Sequence, residues 1–230
     1  MKIIKCTPEY ASQILDIFND AILNSTALYD YKPWTMDTMK VWFETKAQHN
    51  FPVIGIVDDE GVLMGFGSYG QFRMRPAYKY TIENSLYVHR DHRGKGLGKI
   101  LLNEIISHAT SQNFHSIIAV IDASNEISLD LHRKAGFTQV GVFREVGYKF
   151  GRWLDAAFLQ LNLETPEMPE EGWFFTLFFI KRRTDMQKSH IIFEFYLFIE
   201  LNVIVHNRIN IVYLYNDKIL PEFLMKILYK

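Results

Sequence analysis

Cysteine is almost missing from this chain: Cys6 is the only one in 230 residues. A single thiol excludes an intramolecular disulfide framework and suits a reducing, cytoplasmic setting. Charge of one sign is not in excess either. Lys and Arg total 25, Asp and Glu 26, and the net charge is -1. No global field therefore draws nucleic acid or an anionic membrane, and neither is expected as a partner. No run approaches the roughly 18 uncharged apolar residues of a membrane span. The opening "MKIIKCTPEY" has too short an apolar stretch to be expected to act as a signal peptide. Alanine is absent after Ala157, and Gly172 is the only glycine after Gly151. What is present is ample apolar residue, 48% against 22% charged, enough to bury a core.

Two regions differ in composition. In the first, strands and helices alternate. "KIIKC" reads as a strand, and Thr7 with Pro8 suits the start of a helix carrying Ile14, Ile17, Phe18 and Ile22 on one face. Thr35 is a second candidate cap, with Trp34 and Met39 as a hydrophobic staple and a helix to about Gln48. "FPVIGIV" and "VLMGFGSY" predict two strands joined by "DDEG", and a third runs near Tyr80 to Val88. "HSIIAVI" reads as a strand covered on both faces. Asn125 caps a short helix ending at Gly136, and two strands follow, turning near Lys149 to Arg152. A mixed α/β sheet is the expected class. From about residue 165 the proline- and acid-rich "ETPEMPEEG" leads into a stretch dominated by Phe, Ile, Leu, Tyr, Asn and Lys. We expect residues 1–164 to form the functional domain. Residues 165–230 form an extension of unassigned role, either a read-through or frameshifted product or a dimerisation segment.

The segment "HRDHRGKGLGKILL" places Gly94, Gly96 and Gly98 immediately before an apolar helical pattern. Glycine adopts positive φ and lets an anion approach the main chain. A helix start then offers free N–H groups and partial positive charge. Arg90, Arg93, Lys95 and Lys99 add full charges, so a phosphate or pyrophosphate is a natural occupant. A flexible turn with solvated lysines and arginines is the competing explanation. The spacing is neither that of a P-loop, because Ile100 stands where Ser or Thr is required after Lys99, nor that of a dinucleotide fold, whose third glycine falls one place later.

"RGKGLG" resembles the Arg/Gln-x-x-Gly-x-Gly pyrophosphate motif of the GNAT N-acetyltransferases. "NEISLDLHRKAGF" is similar to that family's second cofactor segment. "YTIENSLYV" and "REVGYKFGRWLDAAFLQ" resemble its phosphinothricin acetyltransferase-like branch, over about residues 1–164. The resemblance implies a splayed, mostly antiparallel mixed sheet flanked by helices on both faces. It implies acetyl-CoA as cosubstrate, held by the edge of Leu86, Tyr87 and Val88, by the loop Arg93, Gly94, Lys95, Gly96, Leu97, Gly98 and Lys99, and by Asn125. Glu83 matches the motif's glutamate and is the expected base; burial would raise its pKa toward a useful range. His132 stands where many relatives have tyrosine, and it or Tyr148 is expected to serve the leaving thiolate. Arg73 and Arg75 are candidates to hold a carboxylate bidentately, and Tyr29, Tyr31 and Trp34 to wall an acceptor pocket. His89 and His92 lack carboxylate or cysteine partners at a convincing spacing, so no metal is expected. Acetylation of a small amino acid or analogue by a cytoplasmic homodimer is the expected activity. The alternatives are a protein N-terminus or polyamine as acceptor, or a non-catalytic acetyl-CoA sensor.

Overall fold

A computed structural model describes residues 1–170. The remainder of the carboxy-terminal extension, residues 171–230, lies outside the described residues. Seven strands form one sheet in the order β1-β2-β3-β4-β5-β7-β6. They are β1 (Lys2–Lys5), β2 (Val53–Val57), β3 (Leu63–Gln71), β4 (Thr81–Val88), β5 (Ser116–Asp122), β6 (Thr138–Lys149) and β7 (Arg152–Asn162). Every neighbouring pair is antiparallel except β4 with β5. The helices are α1 (Ala11–Asn24), α2 (Met36–Gln48), α3 (Leu97–Ser111) and α4 (Glu126–Lys134).

Helix starts follow local chemistry. Thr35 Oγ1 accepts the Thr38 N–H at 3.3 Å, a cap worth about 1 kcal/mol. Met39 is buried and half-buried Trp34 packs against the same cluster, as a staple requires. Thr7 is a correction. A single turn at Pro8–Tyr10 intervenes before α1, and Thr7 makes no side-chain cap. Asn125 caps α4 by accepting the Ser128 N–H at 3.1 Å, and Gly136, at φ 95°, ends it.

Period-two alternation sends the sheet's side chains into two cores. Leu97, Leu101, Leu102, Ile105 and Ala109 of α3 pack with Ile54, Ile82 and Ile117 on one face. Ile14, Ile17 and Phe18 of α1 and Phe43 of α2 pack with Phe66 and Val53 on the other. Each fully buried leucine contributes about 1.5–3 kcal/mol. Helix α3 lies close to the sheet because β3 presents glycines there. A Cβ on Gly67 would stand 2.8 Å from Ile105, and one on Gly65 would stand 2.9 Å from the Tyr87 carbonyl oxygen. The second contact is with backbone that cannot move aside cheaply. Gly65→Ala should therefore destabilise the protein by about 1–3 kcal/mol, read by chemical denaturation. An unchanged midpoint would contradict this close packing.

The feature that shapes the site is the β4–β5 junction. Pairing runs only through Thr81, Ile82 and Glu83 against Ser116, Ile117 and Ile118. Beyond Glu83, β4 stays paired with β3 through Val88, while β5 stays paired with β7 through Asp122. The two central strands thus part, and residues 84–88 keep one unpaired edge.

Candidate active site

A cavity of about 310 Å³ fills the gap. Glu83 to Tyr87 line one wall and Ala119 to Asp122 the other. Thr26 to Tyr29, Asn125, Ser128 and His132 close it. The sheet's alternation divides this lining. Glu83 and Tyr87 project toward α1, where the Tyr87 ring meets Phe18 at 5.1 Å. Asn84 projects the other way, toward α4.

Glu83 sits at the last paired position. Burial pushes its carboxyl above the usual carboxylate range, and the Arg73 charge opposes that rise. Arg73 is therefore close enough to act on this group. Its guanidinium lies over Phe72 and donates to the Phe72 carbonyl at 2.9 Å. Neither arginine lines the cavity: Arg73 is exposed, and Arg75 is exposed at the start of the Pro76–Tyr78 turn.

The glycine loop continues directly from β4. Gly94 (φ 77°) and Gly96 (φ 78°) both lie in the left-handed region, and a Cβ on either would meet open space. Gly96 precedes the first residue of α3, and the N–H groups of residues 94–97 donate to no other group among the described residues. A bulky anion fits here: bare main-chain donors, a helix start and open room coincide. Lys95 stands beside His92, 3.1 Å away. Gly98 does a different job. A Cβ there would stand 3.2 Å from Leu131, so its smallness lets α3 and α4 approach. Arg93 also departs from expectation. It donates to Asp20 of α1 at 2.9 Å and to the Val88 carbonyl at 3.3 Å, which ties the loop to α1 and to the strand's end. Burial of Asp20 works against its charge, but the Asn24 hydrogen bond with Arg93 and Arg90 holds its carboxyl below the usual range.

Other expected residues divide. Tyr29 lines the cavity, its ring seated where Gly147 has no side chain: a Cβ there would stand 2.6 Å from it. Trp34 does not line the cavity. Its ring packs 4.6 Å from Phe18 and donates to Asp30, because the staple position points it inward. Tyr148 does not line the cavity either, nor is it core. It lies exposed on β6, its ring 5.1 Å from Trp153, while its carbonyl accepts from Tyr31. Tyr31 is exposed as well.

His132 reaches the site but not as a ready acid. Its Nδ1 lies 2.8 Å from the Ser128 carbonyl oxygen and its Nε2 3.1 Å from Asn84 Nδ2. Burial pushes its pKa down, the Ser128 hydrogen bond works weakly against that, and the ring is neutral near pH 7.

Three participants have no sequence motif. Asn84 is hidden within an apolar strand pattern. Asp122 accepts from Ser124 N and Oγ and pairs with Arg152 at 3.4 Å at the cavity's rim. Buried Lys149 donates to the Ser25 carbonyl at 2.9 Å and to that of Leu28, anchoring the loop that closes the cavity. A turn lysine gives no sign of this before β6 and α1 are brought together.

A parted sheet with an anion-shaped helix start beside it defines a class, and comparison with known proteins agrees. The Acetyltransferase (GNAT) family model matches residues 19–137. An L-methionine sulfoximine/L-methionine sulfone acetyltransferase of Pseudomonas aeruginosa is 42% identical over 151 residues, 66% of this chain and 88% of that protein. Phosphinothricin N-acetyltransferase of Streptomyces viridochromogenes is 34% identical over 158 residues, covering 68% and 84%. A solved GNAT superfamily phosphinothricin acetyltransferase from Sinorhizobium meliloti, in complex with AcCoA, superposes with a TM-score of 0.72 at 32% identity, covering 76% and 95%. The chain belongs to the GNAT acetyltransferase family.

Proposed function

We propose that this protein transfers an acetyl group from acetyl-CoA to the α-amine of a small amino acid or analogue of the methionine sulfone, methionine sulfoximine or phosphinothricin type. The single observation that carries it is Glu83: a half-buried carboxyl with raised pKa, at the point where β4 leaves β5. The named activities of the relatives supply the acceptor class.

Acetyl-CoA supplies the activated acyl group as a thioester. The N–H groups of residues 94–98 hold its diphosphate, with Lys95 and Lys99 nearby. The free edge of residues 84–88 pairs with its pantetheine arm, and Asn125 Nδ2, unused in capping α4, adds a donor. A main-chain N–H of that edge is placed to polarise the thioester carbonyl. Arg73 holds the acceptor's carboxylate, and Tyr29 walls its side chain. Glu83 takes one proton from the ammonium group, freeing a lone pair to form the C–N bond. As the C–S bond breaks, the nitrogen loses a second proton and the sulfur gains one. The products are a neutral amide and a free thiol, and Glu83 returns its proton to water.

A homodimer is part of the proposal. β6 is an edge strand, and Val140, Val142, Phe143, Val146, Phe150 and Trp153 of the β6–β7 hairpin are all exposed, a concentration of apolar side chains suited to an interaction face. Trp153→Glu should shift the mass found by light scattering from dimer to monomer. An unchanged mass would remove this face from the interface. Buried Cys6, its thiol pushed up to about 12 by burial, is in keeping with a reducing cytoplasm and no part in the chemistry.

The test of the whole proposal is a thiol-release screen across amino acids, methionine sulfone, methionine sulfoximine and phosphinothricin. Turnover with at least one of them is expected. Tight acetyl-CoA binding with no release for any would favour a sensor. In the same assay Arg73→Ala should raise the acceptor KM at least tenfold, about the 1.4 kcal/mol or more of a charge-assisted contact, and leave the acetyl-CoA KM in place.

A further inference from the structure

Asn84 is buried in the site, yet its Oδ1 has no hydrogen-bond partner. An unpaired buried carbonyl oxygen costs about 1–3 kcal/mol. The neighbours on the same face of β4, Ile82 and Leu86, pack into the core, and an apolar side chain would fill the place without that cost. The reason for the amide lies on its other side, where Nδ2 stands 3.1 Å from His132 Nε2.

The direction of that bond follows from the far side of the ring. Nδ1 faces the Ser128 carbonyl oxygen at 2.8 Å, and a carbonyl only accepts, so Nδ1 carries the hydrogen. In a neutral imidazole Nε2 then has a lone pair and no proton. Turning the Asn84 amide over would set Oδ1 against that lone pair. Nδ2 must therefore be the donor, and Oδ1 is the oxygen left over.

We propose that Asn84 is a positioning residue for His132 at the edge of the site. Its Nδ2–H holds His132 in the Nδ1-protonated tautomer, so the ring has no proton to give the departing sulfur. The inference rests on the acetyl-transfer function proposed above. The surroundings agree with it. The other titratable groups lining the cavity are Glu83 and Tyr87 of β4, Asp122 of β5 and Tyr29 of the closing loop, and none bonds to the ring. On α4, Asp130 and Arg133 pair with each other at 3.2 Å. The Phe137 ring covers the imidazole edge-on at 5.1 Å. His132 is saturated on both nitrogens and acts as the anchor for Asn84, not as a shuttle.

The experiment is a long-range proton–nitrogen correlation spectrum of the full chain with labelled histidine at pH 7, with His132 assigned by its loss in His132→Gln. The expected spectrum has the proton on Nδ1 and a bare Nε2. Asn84→Asp replaces a donor with an acceptor and should draw a proton onto Nε2. A proton on Nε2 in the unsubstituted protein overturns the proposal, as does an Asn84→Asp spectrum that does not change. Kinetics give a second reading. A kcat profile with a fall on the alkaline side that vanishes in His132→Gln would mark the ring as a proton donor and also overturn it; the expected profile has no such limb. The tautomer is read without turnover, so a failed acceptor screen stays distinguishable from a failed tautomer.

Discussion

Glu83→Gln should lower kcat by roughly 10²–10⁴-fold, the range for removing a general base, while acetyl-CoA affinity stays the same. The amide keeps the shape and the burial but cannot take a proton from an ammonium group. Because burial raises this carboxyl's pKa, the base is protonated and inactive on the acid side. Activity should rise as pH climbs through that raised value and then level. The substitution should abolish the rise. Arg73 works in the opposite direction on the same group, so Arg73→Ala should move the acid limb to higher pH. Steady-state kinetics over a pH series, with calorimetry for the cofactor, read both effects. Near-normal turnover of Glu83→Gln at neutral pH would take the base role from this residue.

Gly96→Val should weaken acetyl-CoA binding by at least tenfold, with a smaller loss of fold stability. The backbone at Gly96 has φ 78°, where a β-branched residue is strained by about 1–3 kcal/mol. Its Cβ direction meets no protein atom within 4 Å, so the added side chain does not break the core. It stands instead in the open room before α3 that a diphosphate needs. Gly98→Val tests the distinction drawn between these glycines. Its side chain would press on Leu131, so stability should fall more than it does for Gly96→Val. Equal cofactor affinity for Gly96→Val and the unsubstituted protein would contradict the assignment of the loop.

The main features were legible in the sequence for physical reasons that operate locally. The glycine loop depends on backbone freedom and on the helix that follows it, both of which lie within a dozen residues. The Thr35 and Asn125 caps are likewise short-range, and both form as the sequence predicts. Alternation along β4 was enough to single out Glu83 as the charged residue in an apolar strand. What the sequence could not reveal depends on distant segments meeting. Arg93 reads as a phosphate ligand until α1 brings Asp20 to it, 73 residues away. Tyr148 reads as a donor near the cofactor until the hairpin turns its ring outward. Lys149 has no partner nearby in sequence, and its acceptors are more than a hundred residues earlier. Asn84 resembles an ordinary strand residue, and only its pairing with His132 shows which ring nitrogen is protonated. Trp34 carried two compatible roles, staple and pocket wall, and packing against Phe18 chose the first.

The most direct measurement is a crystal structure of the full chain grown with coenzyme A. The diphosphate should lie on the main-chain N–H groups of residues 94–98, the pantetheine should run along the free edge of residues 84–88, and the sulfur should end near Glu83. Coenzyme A bound at any other surface, with β4 and β5 still parted and nothing between them, would contradict the proposed site.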